Sequence, residues 1–332
     1  MPEEASANAT PHRKPGRGNP SRRSLWLLPI ALLPLPLFLN QYHQYVVNLM
    51  LVYVPVGIGF NVVVGNLGQL AFSNVAFFGI GAYTSGILML KLGLPWWATV
   101  VPAGVMGGIA GCAASVPALR GVRSFYLAIM TLAFGELMRW SYIRLEPLTG
   151  GSMGMAVPAA DLFGWKLDTE WHKFYVFLAI AVVLAIATDR LLRSRIGRAF
   201  MAIKDNETAA AAMGIATSRY FVLGFAWSGF VVGIGGSMFA LLVGHLSPES
   251  FNLVELILEF AIIMVGGLAS LTGSILGAII VTAMPEIFSN WPGFQELIFG
   301  LLIVIVILFM PRGLAGLLAR LHPIFRDRYY HD

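Results

Sequence analysis

The residues best suited to chemistry in this chain are a few ionisable side chains set inside long apolar stretches. Glu136 lies about 12 residues into the apolar block 124–144, roughly 18 Å along a helix. Arg139 follows three residues later on the same helical face, so the two charges could simply neutralise each other. Glu259 is the deeper of two glutamates in the block 252–267. Because a charge is costly to hold inside an apolar helix, these three residues are candidates for a polar pathway.

A second set of polar residues interrupts apolar sequence at 65–73, which reads GNLGQLAFS. The set consists of Asn66, Gln69, Ser73 and the adjacent Asn74. Broken helices at membrane depth are tolerated where the irregular backbone lines a cavity or is buried in protein. We therefore expect a short or re-entrant helix here, with these four side chains as further candidates for a pathway lining.

Other kinds of chemistry find little support. Cys112 is the single cysteine, and the six histidines are scattered without ligand spacing, so neither a disulfide nor a metal site is expected. The sequence has no Gly-Lys dipeptide and hence no phosphate-binding loop of the GxxxxGK[ST] type. No nucleophile–base pair is recognisable. We expect a chain that is not an enzyme and that carries no cofactor of its own.

The elements that must position these residues are membrane helices. Hydrophobic residues make up 57% of the 332 and charged residues 12%, and the mean hydropathy is +0.75. An average soluble domain has about twice that charged fraction. The apolar blocks are roughly 16 to 25 residues long, enough to cross a bilayer as helices. The sequence predicts an all-α polytopic bundle of about ten spans, near 25–40, 44–64, 72–90, 95–118, 124–144, 172–189, 220–243, 252–267, 270–289 and 294–310.

The distribution of basic residues predicts that both termini lie in the cytoplasm. Residues 1–24 form a polar tail, 25–318 the membrane domain and 319–332 a second polar tail. We favour an uncleaved first span over a signal peptide because three prolines interrupt the apolar block after the tail. With ten spans, 17 of the 22 Lys and Arg fall inside, as the positive-inside rule requires. The five outside are Lys91, Arg139, Arg144, Lys166 and Lys173.

The largest internal cytoplasmic loop, 190–219, contains the polar stretch RIGRAFMAIKDNETAAAAMGI. Asp205 or Asn206 can cap a helix, Glu207 then favours the positive end of its dipole, and Gly214 is a natural stop. The stretch predicts a helix of about two turns with a small alanine face at 209–212, suited to close docking of another protein. A solvated linker is the alternative.

This loop resembles the cytoplasmic loop of membrane subunits of ABC importers, in the form of the branched-chain amino acid permease family (LivM type). The resemblance extends over about residues 45–318. It is supported by GNLGQLAFSNVAFFGIGAYTSG (65–86), FYLAIMTLAFGELMR (125–139), SPESFNLVELILEFAIIMVGGLASLTGSILGA (247–278) and MPRGLAG (310–316).

The resemblance implies half of a transmembrane pathway in a bacterial inner membrane. It implies four partner chains: a second, similar permease, a periplasmic solute-binding protein and two cytoplasmic ATPases that hold the ATP. No nucleic acid partner is expected. On this basis the ATPase-coupling residues are Arg198, Asp205, Glu207, Ala209, Ala210, Ala211 and Gly214. Two alternatives stay open: an importer of the same class for urea, short amides or another small solute, and a stand-alone secondary transporter or channel.

Overall fold

The computed structural model of the protein describes residues 33–162, 165–167, 169–287, 300–301, 304 and 313–316. It is an all-α bundle. The helices are α1 (Gln41–Asn61), α2 (Asn74–Leu92), α3 (Trp96–Ala114), α4 (Val116–Leu119), α5 (Ser124–Arg144), α6 (Glu146–Thr149), α7 (Glu170–Arg193), α8 (Arg195–Asp205), α9 (Glu207–Ala212), α10 (Thr217–Val243), α11 (Leu253–Gly266) and α12 (Leu271–Ile287).

Short irregular elements join these helices. Single 3₁₀ turns occur at Leu35–Phe38, Gly151–Met153 and Pro248–Phe251. Four two-residue strands form two antiparallel pairs: β1 (Met155–Ala156) with β4 (His245–Leu246), and β2 (Asp161–Leu162) with β3 (Trp165–Lys166).

Eight of the expected spans coincide with long helices, to within a few residues at each end. Five of these helices are long and apolar enough to cross a bilayer: those that begin at Gln41, Asn74, Trp96, Glu170 and Thr217. The molecule is therefore a multi-pass membrane protein. The spans expected at 25–40 and 294–310 lie mostly outside the described residues, as do both terminal tails, so the count of ten stays a prediction.

The interruption expected at 65–73 is confirmed, but the expected short or re-entrant helix is wrong, because residues 67–73 are non-helical and the next helix has a full 19 residues. α1 ends in a π-helical turn, Val62–Asn66, and the chain is then non-helical until α2 begins at Asn74. Gly65 permits this turn, because a Cβ there would lie 1.9 Å from the Asn61 Oδ1 atom and 2.3 Å from the Ala269 amide nitrogen. Gly65 thus lets the end of this helix pack closely against the turn between α11 and α12.

The longest helix, α10, packs against α1, α2 and α3 at the centre of the bundle. Its contact with α3 relies on glycine. A Cβ on Gly107 would lie 2.2 Å from the Gly229 carbonyl oxygen, and one on Gly229 would lie 2.1 Å from the Gly107 carbonyl oxygen. Small residues let helix backbones approach where water cannot drive association, which explains the glycine pairs in these apolar blocks.

Contacts between loops define two ends of the bundle. At one end Arg123, before α5, pairs with Glu207 of α9, and Lys204 of α8 packs on Gly68 of the break. At the other end β1 pairs with β4, and the Lys91 ammonium donates a hydrogen bond to the Pro147 carbonyl. Successive long helices from α1 to α10 therefore run in alternating directions between these two ends.

Candidate coupling surface and buried polar groups

The cytoplasmic-loop candidate forms two short helices rather than one. Ser194 caps α8, since its hydroxyl oxygen accepts a hydrogen bond from the Ile196 amide at 3.1 Å. The helix buries Phe200 and Ile203 against the bundle and ends at Asp205. Arg198 lies on its exposed side, where Nη1 donates to the Arg193 carbonyl at 3.4 Å.

α9 begins and ends as its sequence predicts. Asn206, and not Asp205, is the cap: its Oδ1 accepts from the Ala209 amide at 2.9 Å. Glu207 occupies the first turn, and Gly214 adopts a left-handed conformation with φ of +84° just after the end. These signals are sufficient to delimit a helix of only six residues.

The alanine face of α9 has an inner and an outer side. Ala210 is buried against its own chain, whereas Ala209, Ala211 and Ala212 are exposed and Met213 is 84% exposed. The prediction of a docking face at 209–212 therefore does not extend to Ala210, which is packed in the chain's own core. The outward side of α9 is a small apolar surface.

Arg123 joins three elements at this end of the molecule. Its guanidinium forms a two-pronged ion pair with Glu207, with Nη2–Oε1 at 2.5 Å and Nε–Oε2 at 2.7 Å. It also donates to the Ala118 and Val122 carbonyls and lies 4.4 Å from the centre of the Phe221 ring in α10. Both charged side chains are about 30% exposed, so water screens the pair only partly.

Arg123 does not belong to the set of candidates expected from the sequence, because its partner Glu207 lies 84 residues away. An arginine immediately before a long helix offers no local signal for that pairing.

Lys204 connects α8 to the helix break. Its side chain covers Gly68, where a Cβ would lie 2.8 Å from the Lys204 Cγ atom. Lys204 as a whole is exposed, but partial desolvation of its ammonium group lowers its pKa, and the charge of Asp205 opposes that shift. The α8–α9 segment is thus packed onto the bundle and differs in this respect from a solvated linker.

The four polar candidates at the break have different surroundings. Asn66 is buried, and its Nδ2 has no partner among the described residues. Gln69 is half-buried. Ser73 is buried, and its carbonyl accepts from the amides of Ala76 and Phe77 at the start of α2. Asn74 is buried and donates to Glu259 across 2.9 Å.

Glu136 and Arg139 lie on the outside of this single chain. The Arg139 Nε donates to Glu136 Oε2 at 2.9 Å, and Nη1 reaches Glu249 Oε1 at 3.4 Å. The Glu136 side chain is 47% exposed. The two charges form an ion pair, as expected for residues three apart on a helix. Both side chains remain partly exposed on the outer surface of α5.

Glu259 is fully buried in its own chain. Glu255, one turn earlier, accepts a hydrogen bond from the Tyr53 hydroxyl at 2.6 Å. The two glutamates share a helix face, as the spacing predicts, and both meet polar side chains of other helices. Glu259 is therefore a buried polar group on a helix that packs against α1, α2 and α12.

Asn61 is a further buried polar residue, outside the set of candidates expected from the sequence. Its Nδ2 donates to the Gly267 and Ser270 carbonyls and to the Ser274 hydroxyl, and its Oδ1 accepts from the Ala269 amide at 2.9 Å. Ala269 has φ of +61°, so this side chain holds a strained turn between α11 and α12. The sequence signal for it is an asparagine inside an apolar span.

No group of His, Cys, Asp or Glu side chains in the described part of the chain is placed to hold a metal ion. The candidate site therefore has two parts. At one end of the bundle, α9 exposes a small apolar surface and is joined to the start of α5 by the Arg123–Glu207 ion pair. Between the helices, several polar side chains are buried.

Comparison with known proteins identifies the family. Residues 43–311 match the model of the family described as "Branched-chain amino acid transport system / permease component". The chain is 31% identical to LivM of Escherichia coli K12, a high-affinity branched-chain amino acid transport system permease protein, over 90% of this chain and 76% of that protein.

More distant relatives carry the same description. LivH of Salmonella typhimurium is 23% identical over 80% of this chain and 91% of its own length. BraD of Pseudomonas aeruginosa is 23% identical over 83% and 96% respectively. The agreement extends over nearly the whole membrane domain, and the chain therefore belongs to the family of permease components of branched-chain amino acid transport systems.

Proposed function

We propose that this chain forms half of the membrane pathway of an ATP-driven importer in a bacterial inner membrane. The solute would be a branched-chain amino acid delivered by a periplasmic binding protein. The named solute of the LivM, LivH and BraD relatives supports this choice. The alternative within the same class is urea, a short amide or another small solute.

The observation that carries the proposal is the outward side of α9, which stands between two long apolar helices, α7 and α10. Exposed alanines and Met213 present an apolar patch that a second protein can cover closely. Cytoplasmic ATPase subunits are the proposed partners. Their closure would push α9, and the packed segment would pass the push to the bundle as a rigid body.

The surroundings of Arg123 extend that connection to α5. The arginine precedes the first residue of α5 and holds Glu207 at the start of α9. A displacement of α9 would therefore act on α5 directly as well as through α10. We propose α5 as the helix that responds.

The exposed side of α5 supports a second permease as partner. Phe125 and Tyr126 are about 70% exposed, and Leu137 and Trp140 are exposed farther along. Glu136 lies on the same open side. A bilayer would accept the aromatic residues but not a charged pair at this depth, so a protein neighbour or a water-filled pathway suits this face better than lipid.

The proposed topology has ten spans with both termini in the cytoplasm. Support comes from the basic residues and from the loop contacts, since the 119–123, 190–219 and 65–73 segments meet at one end. Segments 145–157 and 244–251 meet at the other. This grouping is the one that alternating spans require.

Uptake in cells tests the function and the solute. In a strain that lacks this gene, uptake of labelled leucine should fall to the level of a transporter-negative strain, and the restored gene should recover it. Unlabelled isoleucine and valine should compete, whereas urea and short amides should not. Unchanged leucine uptake together with lost urea uptake would contradict the proposed solute and favour the alternative. Uptake of an unrelated amino acid serves as the control for general fitness.

A further inference from the structure

Glu259 and Asn74 together present an unusual set of unpaired atoms. Both side chains are buried, with 0% and 1% of their surface exposed, and the Asn74 Nδ2 donates to Glu259 Oε2 at 2.9 Å. The other oxygen of each, Glu259 Oε1 and Asn74 Oδ1, has no hydrogen-bond partner among the described residues. Buried polar atoms are almost always paired, so two acceptors left over in one bonded pair require an explanation.

Within the described part of the chain, no basic side chain is placed to neutralise Glu259. α11 packs against α12, α1, α2 and the Pro248–Phe251 turn. The basic residues on these elements, His43 and Lys91, are exposed at helix ends, and Lys91 is about 25 Å along α2 from Asn74. The stretch of sequence between Arg219 and Arg312 contains no Lys or Arg, and His245 is the one histidine in that stretch.

The remaining titratable groups around α11 are acids and phenols. Glu255 lies one turn earlier and is hydrogen-bonded to Tyr53. The packed elements also carry Tyr42, Tyr45, Tyr83, Glu249 and Glu286. A negative charge on Glu255 would oppose a second one on Glu259, and none of these groups supplies a positive charge.

A carboxylate removed from water without a countercharge is strongly disfavoured and takes up a proton instead. A protonated carboxyl is a donor as well as an acceptor, and it matches the donor and acceptor of an amide. A proton on Glu259 Oε1 would make that oxygen a hydrogen-bond donor, and the Asn74 Oδ1 atom would be its acceptor.

We propose that Glu259 holds a proton and forms with Asn74 a neutral hydrogen-bonded pair that ties the middle of α11 to the start of α2. The pair lies directly after the helix break, whose last residue is Ser73. It holds the first turn of α2 against α11 without a charge in the core. Glu259 then adds no charge to a solute pathway.

Infrared spectroscopy of the full-length chain in detergent tests for the proton directly. The wild type should show the carbonyl band of a protonated carboxyl at neutral pH, and Glu259→Gln should lose that band. Glu249→Gln, which removes an exposed carboxylate, should leave it unchanged and is the matched control. A spectrum of Glu259→Gln identical to the wild type in this region overturns the proposal. A wild-type band that appears only when sodium is withdrawn also overturns it, because the site would then bind a cation.

Stability supplies a second measurement that does not depend on transport. Glutamine has the shape and hydrogen-bonding groups of a protonated glutamate, so Glu259→Gln should unfold within about 3 °C of the wild type. Glu259→Leu leaves both polar groups of Asn74 unpaired and should unfold about 5 °C lower or more. If the glutamine variant is as unstable as the leucine variant, an ionised Glu259 is required and the proposal fails. Neither result bears on the transported solute.

Discussion

Replacing Arg123 with glutamate should lower transport by about tenfold or more, because it removes a partly buried two-pronged ion pair and sets a like charge beside Glu207. Hydrogen bonds to charged groups contribute about 2 kcal/mol each, less where water screens them, as at this one-third-exposed site. The pair connects α9 to the start of α5, so its loss should uncouple the two helices rather than unfold the bundle. ATP-driven uptake and ATP hydrolysis by the assembled complex are the measurements.

The double variant Arg123→Glu with Glu207→Arg should recover a substantial part of the lost transport, since it restores an ion pair of reversed direction. Transport by Arg123→Lys should lie between that of the wild type and that of Arg123→Glu, because lysine keeps the charge but cannot form the two-pronged contact. Arg120→Glu changes the same charge three residues away on an exposed side chain and should have little effect. Equal losses in the single variants and the double variant would show that the pair does not act as a unit.

The second large effect is expected on the outward side of α9. Ala211→Arg places a long charged side chain on the exposed patch where an ATPase is proposed to dock closely. Transport should fall by about tenfold or more, with the chain itself still inserted and folded. The ATPase subunits should co-purify poorly or hydrolyse ATP without responding to solute.

Ala211→Ser is the matched control at the same position, because it adds a single small polar atom and should dock normally. Ala210→Arg is not a suitable probe, since Ala210 is buried and an arginine there would disturb the chain's own packing. Normal transport by Ala211→Arg, with the ATPase fully bound, would show that the outward side of α9 is not the docking surface.

Local signals made much of this fold predictable from sequence. Apolar blocks of bilayer length bounded by glycine and proline fixed the helices to within a few residues. The polar interruption at 65–73 predicted the break, and Asn206 and Gly214 delimited α9. Each of these features depends on residues that are neighbours along the chain.

Features that depend on long-range packing were not predictable. Arg123 and Glu207 are 84 residues apart, Asn74 and Glu259 are 185 apart, and Asn61 reaches the turn at Gly267 across 206 residues. The burial of Ala210 beside the exposed Ala211 depends on how α9 lies on α8 and α10. Spacing along the sequence specifies a helical face but not the element that covers it.

The central claim is that this chain transports solute only together with a separate ATPase, and reconstitution into sealed proteoliposomes tests it most directly. We expect the chain alone to show no ATP hydrolysis and no leucine uptake with ATP or with a proton or sodium gradient. Joined with a second permease, the ATPase subunits and the binding protein, it should take up leucine only when ATP is supplied on the side of α9. Gradient-driven uptake by the lone chain would contradict the account and favour a stand-alone secondary transporter.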